Sequence, residues 1–129
     1  MPKTVFQTDT APAAIGPYSQ ATRAGGLLFV SGQIPVDPAT GELVGGSVAV
    51  QARQVLTNLS NILTAAGGSL SDAVKVTVFL SDLSAFGEMN EVYGDFFTQD
   101  PPARACVEVS RLPKDVDVEM DAIACLDEA

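Results

Sequence analysis

The longest regular pattern in the chain runs from Val48 to Ala66, where apolar residues fall at Val48, Ala52, Val55, Leu56, Leu59, Ile62, Leu63 and Ala66. Steps of three and four residues trace one stripe of a helix. Ser47 offers a side-chain cap in front, and Gly67-Gly68 supplies the stop behind. The stripe covers one side only, so the helix is expected to lie across a sheet with Gln51, Gln54, Asn58 and Asn61 turned away from it. A second helix is predicted from about Ser84 to Phe97 on the spacing of Phe86, Met89, Tyr93, Phe96 and Phe97, and Pro101-Pro102 breaks it.

Elsewhere the period is two, or the apolar run is short. Gln20 to Ala24 and Leu27 to Val30 flank Gly25-Gly26, the glycine signal of a tight hairpin. Leu27 to Val30 is apolar at every position, the pattern of a strand covered on both faces. Ser31 to Leu43 is dense in turn formers and reads as an ordered loop. Val74 to Leu80 is the next strand, and Ala103 to Val109 follows, placing Arg104 and Cys106 together on the face away from Ala103, Ala105 and Val107. In the last strand, Val116 to Leu126, Val118, Met120, Ala122 and Ala124 alternate with Glu119, Asp121, Ile123 and Cys125. A turn at Pro113 is expected to bring it back along the preceding strand.

The order ββ, helix, β, helix, ββ in one domain, residues 1–129, predicts an α+β fold: a mixed sheet with both helices on one face. No third helix remains to cover the other face. A second copy of the chain is the simplest lid, so a homo-oligomer is expected.

Composition narrows the function. With 47% hydrophobic and 18% charged residues the chain has ample material for a core. Seven Lys and Arg against sixteen Asp and Glu give a net charge of −9, which repels nucleic acid and anionic membranes. No segment has the pattern of a secretory signal or a membrane span, and a cytoplasmic location is expected. The chain has no histidine, so Ser-His and Cys-His nucleophile designs and most zinc sites are excluded. Carboxylates, arginine, hydroxyls and backbone dipoles are left to do any chemistry.

Arg104 is either a surface arginine with its stem laid on the sheet or a planar fork for a substrate carboxylate. Cys106 has no neighbour in the sequence pattern to make it a thiolate, so its backbone is the better contact. Glu119 and Asp121 are equal candidates for a general base. Tyr18 follows Gly16-Pro17 with its hydroxyl at a rim, and Ser31 and Gly32 close a buried strand where a hydroxyl or N–H can meet a cleft. Asn90 sits in the second helix, where asparagine has poor propensity, and by default faces water.

Taken together, Ile15-Gly16-Pro17-Tyr18-Ser19-Gln20-Ala21, Phe29-Val30-Ser31-Gly32-Gln33-Ile34-Pro35, Thr40-Gly41-Glu42-Leu43, Asn90-Glu91-Val92-Tyr93 with Phe96-Phe97, and Pro102 to Val109 with Leu112-Pro113 and Val118-Glu119 resemble the RidA/YjgF family of enamine/imine deaminases. The match spans nearly the whole chain. The resemblance implies a chorismate-mutase-like α+β fold assembled as a homotrimer with active sites at the subunit interfaces. It implies hydrolysis of 2-aminoacrylate and related 2-imino acids, released by pyridoxal-phosphate enzymes, to 2-keto acids and ammonia, without cofactor or metal.

Carried onto this chain, the resemblance makes Arg104 the grip on the substrate carboxylate and Cys106 a backbone contact. Glu119, rather than Asp121, becomes the acid that positions and activates water. Tyr18, Ser31, Gly32 and Asn90 become cleft walls and polar contacts. Pro101 stands where several members carry an aromatic residue, and Asp121 replaces a commoner glutamate. Two alternatives accompany this expectation: a non-catalytic ligand-sensing or chaperone-like trimer, and an endoribonuclease, which the charge of −9 disfavours.

Overall fold

The helical stripe folds as α1 (Val48–Ala65). Ser47 Oγ accepts the Val50 N–H at 3.3 Å, and the chain leaves the helix through Gly67 at φ 93°, a conformation glycine adopts without strain. The described residues of this computed structural model, 2–126, also include α2 (Phe86–Phe96) and the strands β1 (Thr4–Phe6), β2 (Ala21–Ala24), β3 (Leu27–Gln33), β4 (Ala73–Leu80), β5 (Ala103–Glu108) and β6 (Val118–Cys125). The strands form one sheet in the order β1-β2-β3-β6-β4-β5. All pairings are antiparallel except β4 with β5.

One face of the sheet carries the core. Leu28, Val30, Val76, Val78, Val118 and Met120 are buried there beneath Val55, Leu56, Leu59 and Ile62 of α1 and Met89 of α2. The alternation in β6 sorts its residues as the pattern predicts, with Val118, Met120, Ala122 and Ala124 inward. The opposite face has no layer over it: Phe29 is 42% exposed and Val107 likewise, beside half-buried Phe79 and Ile123. No helix among the described residues is long and apolar enough to cross a membrane.

The structure departs from expectation in five places. Gln51 and Asn58 do not face away from the sheet; both are buried, because irregular backbone beside α1 needs donors and acceptors that apolar side chains cannot provide. The segment from Ser31 to Leu43 is not loop throughout, since β3 continues to Gln33 across a register shift. The short strand β1 was not predicted. The last strand does not lie beside β5 either: β4 stands between them, pairing in parallel with β5 and antiparallel with β6. Leu27 to Val30, read as covered on both faces, is covered within one chain on the Leu28 and Val30 side only.

Candidate active site

Glu119 projects from β6 onto the open face, level with Phe79 of β4. It lies over Gly32, so closely that a Cβ built on that glycine would stand 3.1 Å from its Cδ. A cavity of about 620 Å³ opens here, lined among others by Ile15, Tyr18, Gly32, Ile34, Pro113 and Glu119. Burial, and then the charge of Asp121, pushes the Glu119 carboxyl above its ordinary value. Asp121 is also raised by burial, against hydrogen bonds from Thr77 and the charge of Lys75.

The cavity walls are irregular backbone held by carboxamides. Gln20 donates to the carbonyls of Pro12 at 2.7 Å and Thr8 at 3.1 Å and accepts from the Thr8 N–H at 2.7 Å. Asn58, fully buried, donates to the carbonyls of Val36 at 3.0 Å and Ile34 at 3.3 Å. Asn61 reaches the Thr10 carbonyl at 2.7 Å. Gln51 holds Asp117, just before β6, through both atoms of its amide: its oxygen accepts the Asp117 N–H and its nitrogen donates to the Asp117 carboxylate, each at 2.9 Å. Ser31 Oγ donates to the Ser19 carbonyl at 2.6 Å, tying β3 to the Tyr18 loop.

Arg104 stands elsewhere. It is level with buried Val76, so it projects toward the helix layer from the sheet's edge strand. Its guanidinium lies 4.6 Å from the ring centroid of Tyr93 and 5.3 Å from that of Phe86, and Nη1 donates to Asn90 Oδ1 at 2.7 Å. Cys106, level with Val78, is half-buried beside it; burial pushes its thiol up, against a smaller pull from Arg104, which leaves it a poor thiolate. Among the described residues no group of three or more Cys, Asp or Glu could hold a metal ion.

The structure thus brings Tyr18, Gly32 and Glu119 to one cavity and groups Arg104, Asn90 and Cys106 on the other side of the sheet. Arg104 and Glu119 stand two strands apart on either side of β4, offset by three residues along it (level with Val76 and Phe79), and point to opposite faces. Reasoning from the sequence missed the stacking role of Phe86 and Tyr93, although with Asn90 they recur at helical spacing along α2. It also missed the carboxamide clamps, which no apolar pattern reveals.

A mixed sheet with two helices on one face, an edge arginine and a half-buried carboxylate beside a cleft define a small α+β protein. Residues 8–126 match the family described as Endoribonuclease L-PSP. A RutC family protein of Pyrococcus horikoshii is 58% identical over 122 residues, covering 95% of this chain and 97% of that one. The 2-iminobutanoate/2-iminopropanoate deaminase of Escherichia coli is 54% identical over 127 residues, covering 96% and 98%. The crystal structure of E. coli TdcF with bound serine superposes with a TM-score of 0.92 at 48% identity, covering 96% and 99%. The chain belongs to the RidA/YjgF family.

Proposed function

We propose that the protein is an enamine/imine deaminase that hydrolyses 2-aminoacrylate and related 2-imino acids from pyridoxal-phosphate enzymes to 2-keto acids and ammonia in the cytoplasm. The observation that carries this reading is the company Arg104 keeps. In a chain of net charge −9, Arg53 is paired with Asp95 at 3.0 Å and Arg111 with Asp115 at 2.6 Å. Among the described residues Arg104 is met by two aromatic rings and an amide, none of which neutralises it. Its charge is free for a substrate carboxylate, which a guanidinium can grip with two parallel bonds. The similarity to the E. coli deaminase supports the same reading.

In this mechanism Arg104 and the Cys106 backbone hold the substrate, with Tyr18, Ser31, Gly32 and Asn90 around it. Glu119 orients a water and takes its proton as oxygen bonds to the imine carbon. The carbinolamine then collapses to the ketone, with the proton passed to nitrogen so that ammonia leaves. Because Arg104 and Glu119 face opposite sides of one sheet, we propose that the working site joins Arg104 of one copy to Glu119 of the next, in a homotrimer whose contacts also cover the open sheet face.

The test couples the purified protein to a serine or threonine dehydratase and follows 2-keto acid release where spontaneous imine hydrolysis is slow. Acceleration by the wild type, lost at least about 100-fold in Arg104→Ala, is expected. No acceleration by the wild type would sink the deaminase reading, and an active Arg104→Ala would remove the carboxylate grip. RNA cleavage that persists through purification and is lost in Glu119→Gln would favour the endoribonuclease instead.

A further inference from the structure

We infer that Phe86, Asn90 and Tyr93 form a charge-preserving cradle on α2, which fixes the Arg104 guanidinium for a carboxylate ligand while leaving its positive charge uncompensated. This rests on the proposed role of Arg104 as the substrate grip. It reassigns Asn90 from a substrate contact to a positioning residue.

The contrast is internal to the molecule. α2 carries two arginine contacts of the same construction, each with an aromatic ring beneath the guanidinium and a short side chain at its edge. Arg53 lies 5.6 Å from the Phe96 centroid and is closed off by Asp95 at 3.0 Å. Arg104 lies over Tyr93 and Phe86, and the position equivalent to Asp95 is taken by Asn90 at 2.7 Å. A carboxylate there would bind Arg104 more strongly than an amide does and would compete with any anionic ligand. An amide orients the guanidinium without neutralising it.

The aromatic half is rigid. Tyr93 is 5% exposed and its ring packs on Phe97 with centroids 4.6 Å apart. Its hydroxyl has no hydrogen-bond partner among the described residues, so the ring itself is what the cradle uses. Phe86, Asn90 and Tyr93 lie at i, i+4 and i+7, one side of the helix, so a single element sets all three. The guanidinium lies over the Tyr93 and Phe86 rings and Asn90 takes Nη1. An edge therefore remains for the two oxygens of a carboxylate.

Binding of 2-ketobutanoate, the keto acid that hydrolysis of 2-iminobutanoate would yield, tests this without relying on catalysis. Titration calorimetry on the intact protein is expected to show Asn90→Asp raising Kd about tenfold or more. Asn90 is exposed, so that variant folds. Tyr93→Leu should raise Kd several-fold, Tyr93→Phe should restore wild-type affinity, and Tyr93→Leu should have no further effect in an Arg104→Ala background. In the coupled assay the Asn90→Asp loss should fall on KM more than on kcat. Wild-type affinity in Asn90→Asp, additive effects of Tyr93→Leu and Arg104→Ala, or no binding by the wild type would each overturn the cradle. If the wild type binds and Asn90→Asp does not, yet no imine is hydrolysed, the cradle stands and the deaminase reading falls.

Discussion

The Glu119 carboxylate occupies the space that a side chain at position 32 would need. A Cβ on Gly32 would collide with it, standing 3.1 Å from Cδ and closer still to Oε2. Glycine at 32 therefore serves the carboxylate more than the backbone. What must move in Gly32→Ala is the end of a flexible side chain, a cheap displacement for the fold. We predict that Gly32→Ala keeps its melting temperature within a few degrees while kcat falls about 10- to 100-fold, because a displacement of roughly 1 Å costs that much. Parallel melting curves and coupled assays decide it, and full activity would detach Glu119 from the chemistry.

Stability should fall as pH rises through the weakly acidic range. Burial and Asp121 hold Glu119 above its ordinary 4.5, and burial holds Asp121 above 3.8. A carboxyl raised in this way keeps its proton in the folded chain at a pH where the unfolded chain has lost it. Its contribution is complete below the ordinary value and is lost as pH rises through the folded value. Glu119→Gln should therefore flatten the curve of melting temperature against pH above 4.5 and melt higher than the wild type near neutrality. Thermal melts across that range check the sign. A Glu119→Gln protein that melts lower at neutral pH would mean that the ionised carboxylate is a stabilising group.

Asn58→Leu removes the donor to the carbonyls of Ile34 and Val36 and leaves the Val36 carbonyl buried and the Ile34 carbonyl partly so. A loss of about 2–4 kcal/mol is expected in urea denaturation. The same walls line the cavity, so KM should rise as well. Unchanged stability would show that water replaces the amide.

Mixing two inactive variants should restore activity. If the site is shared between copies as proposed, Arg104→Ala and Glu119→Gln each spoil one half of it. After co-refolding in equal amounts, about a quarter of the sites in a ring assembly combine the intact halves. Recovery of roughly that fraction of wild-type turnover is the expected result, and no recovery would mean that both groups act from one chain.

The elements were legible because their signals are local. The α1 stripe, its Ser47 cap, the Gly25-Gly26 turn and the β6 alternation each depend on neighbours within a few residues. Strand order is not local: nothing in Ala103 to Val109 says that β4 will separate it from β6. Nor does its alternation of small and polar residues say which face meets the helices, and Arg104 turns out to share the face of Val76. Periodicity places Gln51 and Asn58 toward solvent because it counts polarity and ignores the distant carbonyls and N–H groups that buried amides satisfy. Arg104 and Glu119 could be singled out by residue type and family resemblance, whereas their placement on opposite faces required the fold.

The clamps formed by Gln20, Asn58 and Asn61 have one more consequence. A carboxamide carries no charge at any pH the protein survives, and its bonds to backbone carbonyls are only weakly sensitive to salt. The mould that shapes the cleft is thus insulated from the medium, while the groups proposed to react within it, Glu119 foremost, respond to protons. Acid, alkali or brine should change how fast the cleft works long before it changes which molecules fit inside.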